Sequence, residues 1–256
     1  MRGAIVRLFA AGVAVGIAGS ASAASLNWTG CYVGGNAGWI GSASSIKTNP
    51  SGTWLTNGTA QSELVSLTRT YNPSNSSIEA GVQIGCNHQS GRFVVGGEAD
   101  LQWTGLKDSI SDTFPRSPGG TFFASTVDVN HKLSWYSTYR IRAGHVVDRA
   151  FLYLTGGIAL GRVESDTSRI STTNTYIGSY SAVRVGWTVG AGAEYALTNQ
   201  WSLKAEYLYL DFGSFSYESP QTRVGGLAAT FTQGTTIQSR EHVARLGVNY
   251  RVSPMK

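Results

Sequence analysis

Charge is scarce in this chain: Asp, Glu, Lys and Arg make up 14% of its 256 residues, against roughly a quarter in ordinary soluble domains. Proline is scarce as well, with 6 residues. Beyond the N-terminus there is no apolar run approaching the ~20 residues that a membrane-crossing helix needs. These absences exclude a helical membrane protein and sit poorly with a soluble domain of average surface. Only two cysteines occur, Cys31 and Cys86, so at most one internal disulfide can form. What is abundant is glycine, at 32 residues, together with 12 Tyr and 7 Trp. With little helix-period patterning, that composition reads as all-β.

The first residues form a targeting segment. Arg2 and Arg7 supply a basic start, Leu8 to Ala18 an apolar stretch, and Ala21-Ser22-Ala23 a small-residue cleavage site, the order expected of a secretory signal peptide. Residues 1–23 are therefore assigned to export and 24–256 to the folded domain. Without Arg2 and Arg7 the 20 basic residues fall to 18 against 15 acidic ones, a net charge of +3, too mild to suggest nucleic acid as a partner.

Period-two alternation, the mark of a strand with two unlike faces, occurs eight times. In the stretch 93–103, Phe93, Val95, Gly97, Ala99, Leu101 and Trp103 share one face, while Glu98, Asp100 and Gln102 share the other. Equivalent apolar sets are Cys31–Trp39, Ile78–Cys86, Leu133–Ala143, Val185–Leu197, Trp201–Tyr209 and Ala244–Val252. Residues 151–161, "FLYLTGGIALG", are apolar on both faces and leave their orientation open. The connections between these strands are 41–77, 88–91, 104–131, 145–150, 162–182, 198–200 and 213–240, long and short in strict alternation. An up-and-down sheet then gathers the long loops at one end and the tight turns at the other, as transmembrane barrels do. The expected fold is all-β: an eight-stranded antiparallel up-and-down transmembrane β-barrel with four long extracellular loops and three short periplasmic turns. A soluble barrel would carry many Lys and Glu on its polar face. Here that face is mostly Gly, Thr, Ser and Asn, and Trp39, Trp103, Trp135, Trp187, Trp201, Tyr195, Tyr209 and Tyr250 fall near strand ends, as interfacial girdles do. A β-sandwich gives no reason for the regular alternation of loop length.

The stretches "WTGCYVGGNAGW" (28–39), "WSLKAEYLYLDFG" (201–213) and "RLGVNYR" (245–251) resemble the outer membrane immunogenic protein family of alphaproteobacteria. That family includes haemin-binding members and lies within the small OmpA-like barrels of the porin family. The resemblance implies a Gram-negative outer membrane, insertion by the barrel-assembly machinery, contact with outer-membrane lipid and lipopolysaccharide, and a structural or surface-interaction role. Two departures stand out. Val252 takes the place where members usually end on Phe, and Cys31 and Cys86 stand where aromatics are usual.

In such a barrel Glu98 and Asp100 face the lumen, with Glu79, Glu194, Glu206 and Glu241 on the acidic side and Arg140, Arg142, Arg184, Lys204, Arg245 and Arg251 on the basic side. Buried charges require partners, so the expected arrangement is an internal salt-bridge plug rather than a catalytic pair. Taking 198–200 as a turn sets Glu194 across from Lys204. The paired glycines open no amphipathic helix and therefore make no nucleotide loop. His131 and His242 fall near the long-loop end as solvated rim residues; haem ligation by either follows only from the family's haemin-binding members. No cofactor, metal or enzymatic activity is expected. The low-charge loops are the place for any ligand, whose identity stays open, and a narrow diffusion pore is the competing reading.

Cys31 and Cys86 sit toward the short-turn end on the outward parity. Taking 41–77 as a loop centred on 59 puts position 31 opposite 87, within one residue of Cys86. Either the two form a disulfide that staples the first hairpin, or each packs separately against lipid.

Overall fold

Alternating small, aromatic and β-branched residues suit a pleated surface with two unlike faces, and the chain is built almost entirely of such surface. The computed structural model describes residues 27–52, 67–116, 124–171, 174–223 and 228–252. Among them are β1 Gly30–Ser42, β2 Ser45–Gly52, β3 Arg69–Tyr71, β4 Ser76–Ser90, β5 Phe93–Thr104, β6 Lys107–Phe114, β7 Ser125–Val147, β8 Ala150–Ser171, β9 Asn174–Ala196, β10 Trp201–Arg223 and β11 Ala228–Arg251. Eight of these close into an antiparallel ring in the order β1-β4-β5-β7-β8-β9-β10-β11, with β11 returning to pair with β1. The residues assigned to a signal peptide lie outside the described residues.

Three tight connections lie at one end. Gly91 (φ 60°) and Asp148 (φ 53°) supply the left-handed residues of two of them, as two-residue hairpins require. In the third, the Thr198 hydroxyl accepts the N–H groups of Gln200 and Trp201. Around the ring the apolar faces point out: Ile78, Ile141 and Leu154 are 72%, 69% and 71% exposed. Only a hydrocarbon surround makes that favourable. Outward Trp39, Trp103, Trp135, Trp187 and Tyr209 mark the upper edge of this band, and Phe93, Tyr195, Trp201 and Tyr250 the lower. The segment 151–161 resolves with Phe151, Tyr153 and Ala159 inward and Leu152, Leu154 and Ile158 outward.

The long connections differ from expectation. Much of 41–77, 104–131, 162–182 and 213–240 is strand rather than loop: β8 runs to Ser171 and β9 starts at Asn174, while β2, β3 and β6 lie wholly within expected loops. Above the upper girdle the wall continues as two facing sheets, β3-β2-β11-β10 and β6-β7-β8-β9. Their seam at β9 and β10 is unpaired from Trp187/Asp211 to Tyr176/Gln221, where Tyr180 stacks on Phe215 at 4.3 Å. On the other side the Tyr71 hydroxyl of β3 donates to Asp112 of β6 at 2.8 Å; burial, with that bond, pushes the phenol above its ordinary range.

Two β-bulges make this continuation possible. One residue is extra between Leu133 and Trp135 on β7, and another between Asp211 and Gly213 on β10, where Gly213 takes φ 73°. A bulge inverts which parity faces inward. Leu133, expected outside, is therefore inside and 1% exposed. Between the sheets Ile40, Ile46, Leu106, Phe114, Val127, Val129, Leu210, Phe212, Phe215 and Ile237 form a core. At the opposite mouth Trp28, Val94, Val146, Phe151, Tyr153 and Ala196 form a second, smaller one. The charged lumen lies between the two.

Candidate functional site

Four bases and four acids meet in the middle of the ring, all essentially buried. Glu98, on β5, accepts at Oε1 from Arg140 Nη2 and from Lys204 Nζ (2.7 Å), and at Oε2 from the Tyr32 hydroxyl and Arg142 Nη1 (3.3 Å). Asp100, two residues on, takes Arg140 Nη2 at 2.9 Å, Arg245 Nη2 at 2.7 Å and both the hydroxyl and the N–H of Thr138. Glu206 accepts Arg140 Nη1 and the Tyr153 hydroxyl, each at 2.9 Å, and Arg245 through Nε at 2.9 Å and Nη2 at 2.6 Å. Glu194 takes Arg142 at 3.1 Å, Asn249 at 2.8 Å and Ser202. Arg142 is further enclosed by the rings of Tyr32, Phe151 and Tyr153, 4.6 to 5.4 Å from its guanidinium carbon.

This balance answers the cost of burying charge, which only paired and hydrogen-bonded ions avoid. Every carboxylate in the set has several donors, so none is left poised to take a proton from a substrate, and all four side chains are closed off from solvent. The arrangement is chemically a cross-brace. The aromatic hydroxyls of Tyr32 and Tyr153 and the polar Thr138 and Asn249 belong to it equally. Alternation sets Thr138 and Asn249 on the polar face with the charged residues, but sequence reasoning passed over Tyr32 and Tyr153 as members.

Several expected members stand apart. Glu194 and Lys204 are opposite in register, yet form no ion pair; Lys204 reaches Glu98 and Glu206 instead. Strand tilt carries lumen side chains diagonally, so the register neighbour is not the nearest charge. Arg184 lies above the upper girdle, donating to the Ser214 carbonyl at 3.0 Å and resting over Phe215. Arg251 sits at the lower mouth, over Trp28 and bonded to the Asn27 carbonyl at 2.6 Å. Glu79 is in the lumen, but its partner is the Tyr136 hydroxyl at 2.6 Å rather than a base.

Glu241 belongs to a separate polar group inside the upper core. Ser239 donates to Glu241 at 2.7 Å, His131 Nε2 lies 3.3 Å from Ser239 Oγ, and Ser42 donates to Asp108 at 2.6 Å. His131 is thus not a rim residue: it is 3% exposed, because the β7 bulge turns it inward. Burial lowers its imidazole to about 4, and it is neutral at physiological pH. The Ser239 hydroxyl is spent on a carboxyl, so His131 has no activated nucleophile beside it. Among the described residues no cluster of His, Cys, Asp and Glu is spaced to hold a metal ion. His242 is outside, with its Nδ1 against the Tyr207 hydroxyl. Cys31 and Cys86 face each other across β1 and β4 and are disulfide-bonded, with Cα atoms 3.9 Å apart.

A sequence model of the outer membrane protein beta-barrel domain matches residues 10–251. The chain belongs to that family. The match takes in the whole ring, and the greasy band accordingly lies in the outer membrane of a Gram-negative cell. The 31 kDa outer-membrane immunogenic protein of Brucella melitensis is 30% identical over 235 residues, covering 89% of this chain and 85% of that one. The 22 kDa outer membrane protein of Rhizobium leguminosarum is 35% identical over 136 residues, 52% of each chain. Solved structures with a similar course include the outer membrane protease OmpT of Escherichia coli, with a TM-score of 0.46, 9% identity and coverage of 90% of this chain and 99% of that one. OprG of Pseudomonas aeruginosa gives a TM-score of 0.44 at 9% identity, with coverage of 88% and 98%.

Proposed function

We propose that this family member is a closed barrel whose role is structural and surface-presenting rather than conductive or enzymatic. The observation that carries this reading is the filled interior: an apolar core above, an interlocked set of charges in the middle and a Trp28-centred plug below. Eight strands leave a lumen that side chains can fill, and each level is filled by buried side chains. A narrow pore would need a polar column left free for water and ions.

What the molecule offers outward is the flank of its two-sheet extension. Exposed positions there include Ser109, Ser111, Thr113, Ser179, Ser181, Ser214 and Ser216, a hydroxyl-rich surface on a packed scaffold of the kind suited to contact with other molecules. The Brucella relative is named an immunogenic protein, which supports surface exposure here. The test is planar-bilayer recording on refolded protein. Absence of steady conductance is expected, and stable nanosiemens-scale steps would overturn the closed-barrel reading. Loss of the closed state on Arg140→Ala would tie the seal to the cross-brace.

A further inference from the structure

On the outer face at the upper membrane edge, three neighbouring strands present large, small and large side chains in one row. Trp39 of β1 pairs with Ala244 of β11, and Ala244 pairs in turn with Tyr207 of β10. Adjacent strands lie about 4.8 Å apart, so the two aromatic walls stand roughly 10 Å apart over an alanine floor. The row below is inverted, with Leu246 flanked by Ala37 and Ala205. The result is a slot of about 360 Å³ lined by Trp39, Ala205, Tyr207, Ala244 and Leu246, together with Glu206 and Arg245, whose side chains are buried in the lumen.

The row above the slot is polar. Gly41 and Tyr209 flank His242, and Arg240 follows on the same outward parity. The Tyr207 hydroxyl lies against His242 Nδ1; with that hydroxyl donating, the imidazole proton sits on Nε2. Arg240 is pinned through Nε to Asp211 at 3.1 Å, and Asp211 spends its other oxygen on the Gly213 N–H. The two terminal nitrogens of Arg240 form no hydrogen bond or ion pair among the described residues, and the side chain is 39% exposed.

We propose that this slot and its head bind one outer-leaflet lipid of the phosphorylated glycolipid (lipid A) class, an acyl chain between Trp39 and Tyr207 and a phosphate on Arg240 and His242. The inference rests on the outer-membrane reading, with the two-sheet extension outside. The slot lies within the hydrocarbon band, where the available occupants are lipid or another membrane protein. The guanidinium edge suits the forked oxygens of a phosphate, which selects an anionic headgroup. A second copy docking here about a twofold axis would bring Arg240 against its own mate.

The experiment is native mass spectrometry of the detergent-purified protein, offered lipid A, dephosphorylated lipid A or phosphatidylcholine. Wild type is expected to retain lipid A about tenfold more than the other two, a factor within reach of a charge-assisted hydrogen bond. The Arg240→Gln/His242→Gln variant loses that preference, whereas Ala244→Leu, which fills the slot, lowers retention of lipid A and dephosphorylated lipid A together. All three positions are on the outer surface, and a heat-sensitive gel shift confirms folding of each variant separately. Equal retention of all lipids by wild type, or wild-type retention by both variants, overturns the proposal. A protein without a gel shift that stays out of the membrane fraction overturns the barrel reading itself.

Discussion

Lys204 distinguishes the side-chain network from a simple cross-strand ladder, because register and contact give it different partners. Register sets it opposite Glu194, whereas its ammonium lies 2.7 Å from Glu98 and 3.6 Å from Glu206. The Lys204 and Glu98 side chains are 0% and 1% exposed. Breaking a buried pair by removing one partner costs about 3–5 kcal/mol. For Lys204→Met the lower end, about 3 kcal/mol, is expected, since Glu98 keeps Arg140, Arg142 and Tyr32 as donors. Glu98→Gln belongs at the upper end, about 5 kcal/mol, because four bases lose their shared anion. Coupling between direct network partners reaches about 3 kcal/mol, while sites more than about 7–10 Å apart with no shared partner add within about 0.5 kcal/mol. Glu194 reaches Lys204 only indirectly, through Arg142 and the carboxylates beyond it, so its cycle with Lys204 should show a clearly smaller coupling than the Glu98 cycle. Urea unfolding of the refolded protein in detergent micelles, followed by tryptophan emission, measures both cycles. A Glu194–Lys204 coupling as large as that of Glu98–Lys204, or additive Glu98 and Lys204 singles, would refute the network.

Thiol titration of denatured, unreduced protein should find no free thiol; the Cys31→Ser/Cys86→Ser variant should lose up to about 4 kcal/mol, the chain-entropy value for the 55-residue separation. Acid should withdraw the contribution of His131 to the upper core, while the neighbouring Glu241 carboxyl, raised to about 8 by burial, acts in the opposite sense. His131 has its folded pKa near 4, below the unfolded value of about 6.5, so its stabilisation is complete above the latter and declines as pH falls from there toward 4. His131→Gln compared with wild type over that window isolates this contribution, and parallel curves would count against it. Gly144→Ala should block assembly, since a Cβ there would run into the Leu152 carbonyl oxygen; unchanged recovery of the heat-sensitive gel form would contradict that backbone geometry.

The ring was legible because its signal is local. Glu98, Asp100 and their outward neighbours alternate without interruption from Phe93 to Trp103, and the whole strand has one inside and one outside. The cysteines were within reach for a related reason: both lie on unbroken strands, and the midpoint of the 41–77 connection sets them within one residue of each other, where the structure pairs them directly. Membership of the cross-brace was less legible. Parity says that Lys204, Glu194, Arg184 and Arg251 point inward, but not at which height. Strand tilt decides height, and with it which charges meet. Arg184 and Arg251 have the right parity yet end above and below the network.

The extension was hidden by two single residues. On β7, Val127, Val129, His131 and Leu133 alternate as cleanly as Tyr136, Thr138, Arg140 and Arg142, but the two series are out of phase. Read as one strand they cancel, and the upper half looks like loop. A bulge at Ser134 reconciles them, and the extra residue between Asp211 and Gly213 does the same on β10. Both lie just above Trp135 and Tyr209, where the surround changes from hydrocarbon to water. Below that level the inward parity carries charge and the outward parity grease. Above it, in water, the grease belongs inside. On β7 and β10 the bulges bring that change about by reversing the parity; β8, β9 and β11 continue without a flip and change the residues on a constant inward parity. The inward series of β11 passes from Arg245 through Glu241 and Ser239 to Ile237. Two of the eight ring strands therefore require a break in period, and there a period-based reading fails at the membrane boundary itself.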